Sequence, residues 1–139
     1  MVKKFKTKFK GLLVLQRKKH IDKRGFLIEM LREETLDKKF KFQILSKSKK
    51  NVLRGLHFQL NKPQAKHITV IKGKILDIAV DLRKNSSTFG KVFTVELTDK
   101  NCKSIYIPAG FAHGFLTLGK ENIIHYSCTE YRSIGNDIV

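Results

Sequence analysis

The stretch His67-Ile68-Thr69-Val70-Ile71-Lys72-Gly73-Lys74-Ile75-Leu76-Asp77-Ile78-Ala79-Val80-Asp81-Leu82 reads as two β-strands joined at Lys72-Gly73. β-Branched residues crowd both halves, and the glycine between them predicts a tight hairpin turn. In the second half Leu76, Ile78, Val80 and Leu82 share one face, and Ile75, Asp77, Ala79 and Asp81 share the other. Working outward, short strands are predicted over Phe26 to Leu31, Phe42 to Leu45, Val52 to Gln59, Phe89 to Leu97, Ser104 to Ile107, His113 to Leu118 and Ile123 to Cys128. Turns separate them at Asp22 to Gly25, Lys47 to Asn51, Asn85 to Ser87 and Asp99 to Asn101, and only Glu33 to Lys39 suggests a helical turn. Such regular spacing predicts an all-β sandwich or barrel, closed enough to protect its edges.

The 139 residues predict one domain, 1–139, large enough for a continuous core. Hydrophobic residues at 41% and charged residues at 29% argue against wholesale disorder. No apolar run approaches the roughly 18 residues that span a bilayer. Gly11 to Leu15 is too short for a signal-peptide core, so a soluble, cytoplasmic protein without membrane partners is expected. Cys102 and Cys128 lie far apart and outside any Cys-x-x-Cys pattern, which favours two free thiols.

The net charge of +17 raises the question of nucleic acid. Residues 1–50 carry a balance of +12 and residues 51–139 a balance of +5, with 23 lysines against 6 arginines. Scattered lysine is a point charge, whereas specific phosphate recognition prefers the arginine fork. The basic pairs and triples look like solvated strand faces and turns, and no nucleic-acid-binding motif accompanies them. No nucleic-acid partner is expected. The field suits a smaller anion, such as a nucleotide-linked metabolite.

The candidate chemistry lies in Arg54-Gly55-Leu56-His57-Phe58-Gln59, Lys66 and Pro108-Ala109-Gly110-Phe111-Ala112-His113. Arginine, lysine and two histidines on strands can hold an anion and move a proton near neutral pH. On a regular strand Arg54 and His57 point to opposite faces, so Gly55 is expected to mark a bulge that brings them together.

Pro108-x-Gly110-x-x-His113 resembles the second motif of the cupin family. Many cupins bind a metal through His-x-His and a glutamate in the first motif. Here His57-x-Gln59 stands in that place with no suitable glutamate after it, so a metal-free barrel is expected, with no cofactor. A more specific resemblance runs from about residue 11 to residue 131. Asp22-Lys23-Arg24-Gly25-Phe26-x-x-Glu29, Val52 to Gln59, Gln64-Ala65-Lys66, Asp77 to Arg83, Ser87-Thr88-Phe89-Gly90, Ile107 to Phe115 and Tyr126-x-Cys128-Thr129-x-Tyr131 occur in order. Together they resemble the dTDP-4-dehydrorhamnose 3,5-epimerase family.

That resemblance implies a cupin double-stranded β-helix, or jelly roll, with an N-terminal strand extension, assembled as a homodimer. It implies an isomerase of dTDP-rhamnose and polysaccharide biosynthesis, acting on a nucleotide-diphosphate 4-keto-6-deoxy sugar at carbons 3 and 5. His57 would be the base, Lys66 the cation near the enolate oxygen, and Tyr126 the acid on the opposite face. Arg54, Gln59, His113 and Tyr131 would belong to the substrate site. Arg24, Phe26 and Glu29 would close over the nucleotide from the partner subunit. His113, Asp77 and Asp81 either orient the site or form buried structural pairs.

Two departures accompany the resemblance. Ile44 stands where the family has an asparagine, and no Trp-Asn-Asp segment follows Tyr131 to supply a carboxylate for the base. Asn136-Asp137 lies too near Tyr131 to be equated with that segment. The alternatives are a 3-epimerase, a 5-epimerase, a 3,4-ketoisomerase, or a degenerate sugar-nucleotide-binding cupin without catalysis.

Overall fold

Among the described residues, thirteen strands and one helical turn follow in the order β1 (Lys3–Lys6), β2 (Leu13–Gln16), β3 (Lys19–Asp22), β4 (Gly25–Ile28), α1 (Glu33–Leu36), β5 (Phe42–Lys49), β6 (Leu53–Gln59), β7 (Lys66–Lys72), β8 (Lys74–Asp81), β9 (Val92–Thr98), β10 (Lys103–Ile107), β11 (Phe111–Thr117), β12 (Glu121–Cys128) and β13 (Asp137–Ile138). The structure, a computed structural model, describes residues 2–133 and the backbone of 137–138. Asn136 lies outside the described residues.

One sheet has the order β1-β2-β10-β7-β12-β5 and the other β13-β6-β11-β8-β9, with β3 and β4 paired apart as an arm. All the pairings are antiparallel. From β5 to β12 the chain changes sheet after every strand except β8, which forms a hairpin with β9. That alternation is the double-stranded β-helix of a cupin jelly roll. The N-terminal strands β1 and β2 extend the larger sheet beyond β10. Between the sheets Leu12, Ile68, Val70, Ile105 and Ile124 meet Ile75, Ala79, Leu97, Phe111 and Phe115.

The structure corrects the expected hairpin at Lys72-Gly73. β7 and β8 lie in different sheets, so this turn carries the chain across the core rather than back along its neighbour. Gly73 has φ +93, and its N–H donates to Asp99 Oδ2 at 2.9 Å. A side chain there would meet the Glu121 carbonyl and the Asn122 side chain. A tight turn is therefore required, but it joins a strand buried on both faces from His67 to Val70 to one whose burial alternates, and so it passes between sheets.

The expected turn over Lys47 to Asn51 is also shorter than predicted, because β5 runs on to Lys49. Its lysines alternate outward: Lys47 and Lys49 are exposed while Ser48 is buried. The strand expected from Phe89 begins only at Val92. Phe89 and Gly90 instead form a turn, with their N–H groups donating to Ser86 O and Asp81 O. The Asp81 carboxylate organises this loop, accepting from Arg83, from Ser86 Oγ at 2.5 Å and from Thr88 Oγ1 at 2.6 Å. Burial pushes this carboxyl up, but the donated bonds outweigh it and hold the group well below the usual carboxylate range.

On the outer face of the larger sheet His67 is 1% exposed, with Nε2 2.8 Å from Ser104 Oγ. The Arg17 guanidinium lies nearby, donating to Met30 Sδ and Lys103 O. Burial first, then the positive charges of Arg17 and His125, push His67 down to about 3. The histidine is therefore neutral in the fold but takes a proton in the unfolded chain below about pH 6.5. Its contribution to stability is complete above that pH and is lost as pH falls towards 3, by up to about 1.4 kcal/mol per pH unit. Urea unfolding between pH 7.5 and pH 4.5 should show this slope, and His67→Gln should flatten it relative to wild type.

Candidate active site

The site begins with β6. Arg54 pairs with Phe115 and His57 with His113, so three steps on β6 face two on β11. This is the expected bulge, and it turns Arg54 and His57 towards the same cavity. Gly55 takes φ +93 at the bulge, and a Cβ there would stand 2.6 Å from the His113 carbonyl oxygen. Only glycine fits both constraints.

The cavity has a volume of about 510 Å³ and opens between the two sheets. β6 contributes Leu53, Arg54 and His57, and β11 contributes His113 and Phe115. From the other sheet come Phe42, Ile44 and Ser46 of β5, Lys66 of β7, and Tyr126 and Cys128 of β12. Gln64 and Arg132 stand at its margin, and no Asp or Glu lines it among the described residues. Cationic, neutral hydrogen-bonding and apolar side chains on both walls suit an anionic ligand that also carries apolar surface.

Three of the polar groups, His113, Arg54 and Tyr126, are held from behind. His113 Nε2 lies 2.8 Å from Asp77 Oδ2, and both are buried. The inner face of β8 thus carries the acids, and Asp77 forms a buried pair that also fixes a cavity-lining ring. Arg54 Nε donates to Ser48 Oγ at 2.9 Å and Nη2 to Lys47 O at 3.4 Å, tying β6 to β5 across the cavity. Tyr126 packs edge-on against Phe115 at 5.9 Å, and its hydroxyl lies 2.7 Å from Ser46 Oγ. Burial pushes this phenol up, opposed by the bond to Ser46 and the charge of Arg54. Burial also pushes the Cys128 thiol up, against the nearby Lys66.

His57, Lys66, Tyr126, Arg54 and His113 therefore line one cavity. Gln59 does not line it. Its amide bonds Lys62 O and Tyr131 O and accepts from Ser133 N, which clamps the chain after β12. Tyr131 stacks edge-on with Phe42 at 5.9 Å and is otherwise exposed. Arg24, Phe26 and Glu29 sit on or beside the arm, away from their own chain's cavity. Arg24 pairs with Asp22, the Phe26 ring lies 4.3 Å from Lys19 Nζ, and Glu29 bonds Arg32. Among the described residues no group of three His, Cys, Asp or Glu side chains is arranged to hold a metal ion.

Sequence reasoning missed Ser46 and Arg132. The signal for Ser46 is the alternation Phe42, Ile44, Ser46, Ser48, which Lys47, Lys49 and Lys50 disguise as a basic turn. Arg132 had no pattern to mark it.

A jelly roll with a cation-lined cavity between its sheets places the chain in the cupin class. The profile of dTDP-4-dehydrorhamnose 3,5-epimerase matches residues 6–138. A dTDP-4-dehydrorhamnose 3,5-epimerase of Methanothermobacter thermautotrophicus is 45% identical over 130 residues, covering 90% of this chain and 70% of that relative. Among solved structures, the Legionella pneumophila dTDP-6-deoxy-D-glucose-3,5-epimerase in complex with dTDP-4-keto-L-rhamnose superposes with a TM-score of 0.95. It is 35% identical and covers 99% of this chain and 77% of its own. The Bacillus anthracis dTDP-4-dehydrorhamnose 3,5-epimerase with TDP and PPi bound gives 0.93 at 36% identity, covering 99% and 82%. The chain belongs to the dTDP-4-dehydrorhamnose 3,5-epimerase family.

The bulge offers a direct check. Gly55→Ala should destabilise the protein by about 1–3 kcal/mol, the range for a strained backbone position. It should also turn His57 out of line with Arg54. Urea unfolding measures the first effect. Loss of thymidine diphosphate binding beyond that expected from stability alone measures the second.

Proposed function

We propose that the chain binds a thymidine-diphosphate 4-keto-6-deoxy sugar and inverts it at carbons 3 and 5. The observation that carries this reading is the convergence of His57, Lys66 and Tyr126 on one cavity from three strands of two sheets. Membership of the family makes the chain an epimerase, an enzyme of the isomerase class.

The chemistry follows from the acidity of a carbon next to a ketone. His57 removes the proton, and the electron pair of the broken C–H bond moves onto the ketone oxygen as an enolate. Lys66 stabilises that oxygen electrostatically. Tyr126, on the strand across the cavity, gives a proton to the other face of the carbon, and the carbonyl re-forms. Return from the original face only regenerates substrate, which is why an acid opposite the base is needed. Arg54 holds phosphate oxygens through charge-assisted hydrogen bonds. His113, fixed by Asp77, orients the substrate beside His57.

The substrate's nucleotide half is held across a homodimer. The β3–β4 arm exposes Ile21, Phe26 and Leu27 at 76%, 63% and 68%, more apolar surface than an isolated hairpin keeps in water. A second copy covers it, and Phe26 then stacks on the base while Arg24 and Glu29 close the partner's pocket. A nucleotide-sugar substrate and two free cysteines fit a cytoplasmic enzyme. No helix among the described residues is long and apolar enough to cross a membrane.

Incubation with the 4-keto sugar nucleotide in heavy water tests the reaction directly. Wild type should incorporate deuterium at carbons 3 and 5. His57→Ala should lose exchange at both by on the order of 10²–10⁴-fold while still binding the nucleotide. Unchanged exchange in that variant removes His57 as the base. Exchange at one carbon alone makes the enzyme a mono-epimerase.

Assembly has its own test. Arg24→Ala and His57→Ala proteins, each inactive alone, should regain partial activity when mixed and allowed to exchange subunits, since a heterodimer rebuilds one intact pocket. Heterodimers that form without activity rule out the shared pocket.

A further inference from the structure

The phenol of Tyr126 carries a single hydrogen, and its oxygen lies 2.7 Å from Ser46 Oγ. Two arrangements satisfy that distance. If Tyr126 donates to Ser46, its proton is directed along β5 and is withheld from the cavity. If Ser46 donates to Tyr126, the phenolic hydrogen is left to point at whatever occupies the cavity. Transfer of the proton decides between them, because a phenolate has only acceptor capacity. Once the proton has left, the bond survives only with Ser46 as donor.

The ring itself has little freedom. Tyr126 stands opposite Ile44 on one neighbouring strand and Ile68 on the other, and Phe115 meets it edge-on. Ser46 is likewise fixed on β5, two residues from Ile44 on the same face, and it lines the same cavity. The pair is therefore a preformed donor aimed at an oxygen whose charge grows during proton transfer.

We propose that Ser46 is a positioning residue for Tyr126, donating its hydroxyl hydrogen to the phenol oxygen so that the phenolic proton faces the substrate and the phenolate is stabilised as it forms. This rests on the assignment of Tyr126 as the acid. In the step itself the O–H bond of Tyr126 breaks and a new C–H bond forms from the enolate's electron pair. The ketone is restored and Tyr126 is left as phenolate. Water then returns a proton to the phenolate, and protonated His57 gives its proton to water. The hydrogen bond from Ser46 strengthens across this step from neutral to charge-assisted, so it favours the transition state over the ground state. Burial pushes the Tyr126 hydroxyl up while the Ser46 bond opposes it, which is the direction such a role requires.

The test separates exchange from inversion in heavy water, using the 4-keto sugar nucleotide and three variants. Ser46→Ala should lower inversion on the order of 10–100-fold, the worth of a hydrogen bond to a charged group. Deuterium exchange through His57 should fall far less, so the ratio of exchange to inversion rises. The alkaline limb of the inversion rate should move to higher pH, because the phenolate has lost its donor. Ser46→Thr, which keeps the hydroxyl, should restore most of the inversion and return the limb. A merely structural serine would lower exchange and inversion together with no movement of the limb, and that result overturns the proposal. Tyr126→Phe isolates the underlying assignment. If it leaves inversion intact, Tyr126 is not the acid and the role of Ser46 falls with it. If it abolishes inversion while Ser46→Ala changes neither the ratio nor the limb, Tyr126 stands and Ser46 alone is refuted.

Discussion

Two carboxylates, Asp77 and Asp81, are fully buried on the inner face of β8, and a buried charge must be met by hydrogen bonds or positive partners. Asp77 is met by His113 of the adjacent strand β11, which fixes a ring on the wall of the cavity. Asp81 is met by Arg83, Ser86 and Thr88, which closes the loop at the other end of the same strand. Arg83 then reaches further, donating to Lys10 O and covering the Phe111 ring at 4.6 Å. One strand thus pins the chemistry at one end and the loop, the N-terminal segment and the start of β11 at the other. The apolar residues Ile75 and Ala79 alternate with these acids and hold the strand against the opposite sheet.

Most strands were legible because β-branched alternation survives in short segments: β6 to β8 and β10 to β12 lie within a residue or two of expectation. What the alternation does not encode is which sheet a strand joins. A glycine turn between two strands looks the same whether they pair or part, so Lys72-Gly73 suggested a hairpin where the chain crosses the core. β1 and β3 are illegible because lysines interrupt their apolar pattern, and β2 because it is only four residues long and its second partner, β10, lies far along the chain. Ile75, Asp77, Ala79 and Asp81 were grouped on one face, but nothing local said that the face with two acids is the buried one. Only the partners, His113 and the Arg83 loop, make that burial possible.

The candidate site shows the same division. Arg54, His57, Lys66, His113 and Tyr126 were named from sequence and all reach the cavity. The bulge at Gly55 was foreseeable because two functional side chains three positions apart need it. Gln59 also clamps the chain after β12, bonding the carbonyl of Lys62 three positions on and that of Tyr131, which is remote in sequence. The high positive charge sits largely on exposed lysines spread along the chain, while a few cations line the cavity itself. The outer charge draws anions towards the protein in general, and the inner groups decide which one stays.

The changes of sheet between β5 and β12 also determine how this protein reaches its folded state. Strands that touch are distant in the chain: the Ser46–Tyr126 bond spans 80 positions and the contact from Asn122 to Ser48 spans 74. Closing such long loops costs entropy before any contact returns it, and topologies of this kind fold slowly. Neither wall of the cavity is a local product, since each draws its strands from both halves of the chain. The pocket therefore forms only at the final collapse of the barrel, and a nascent chain released before β12 has nothing with which to close β5.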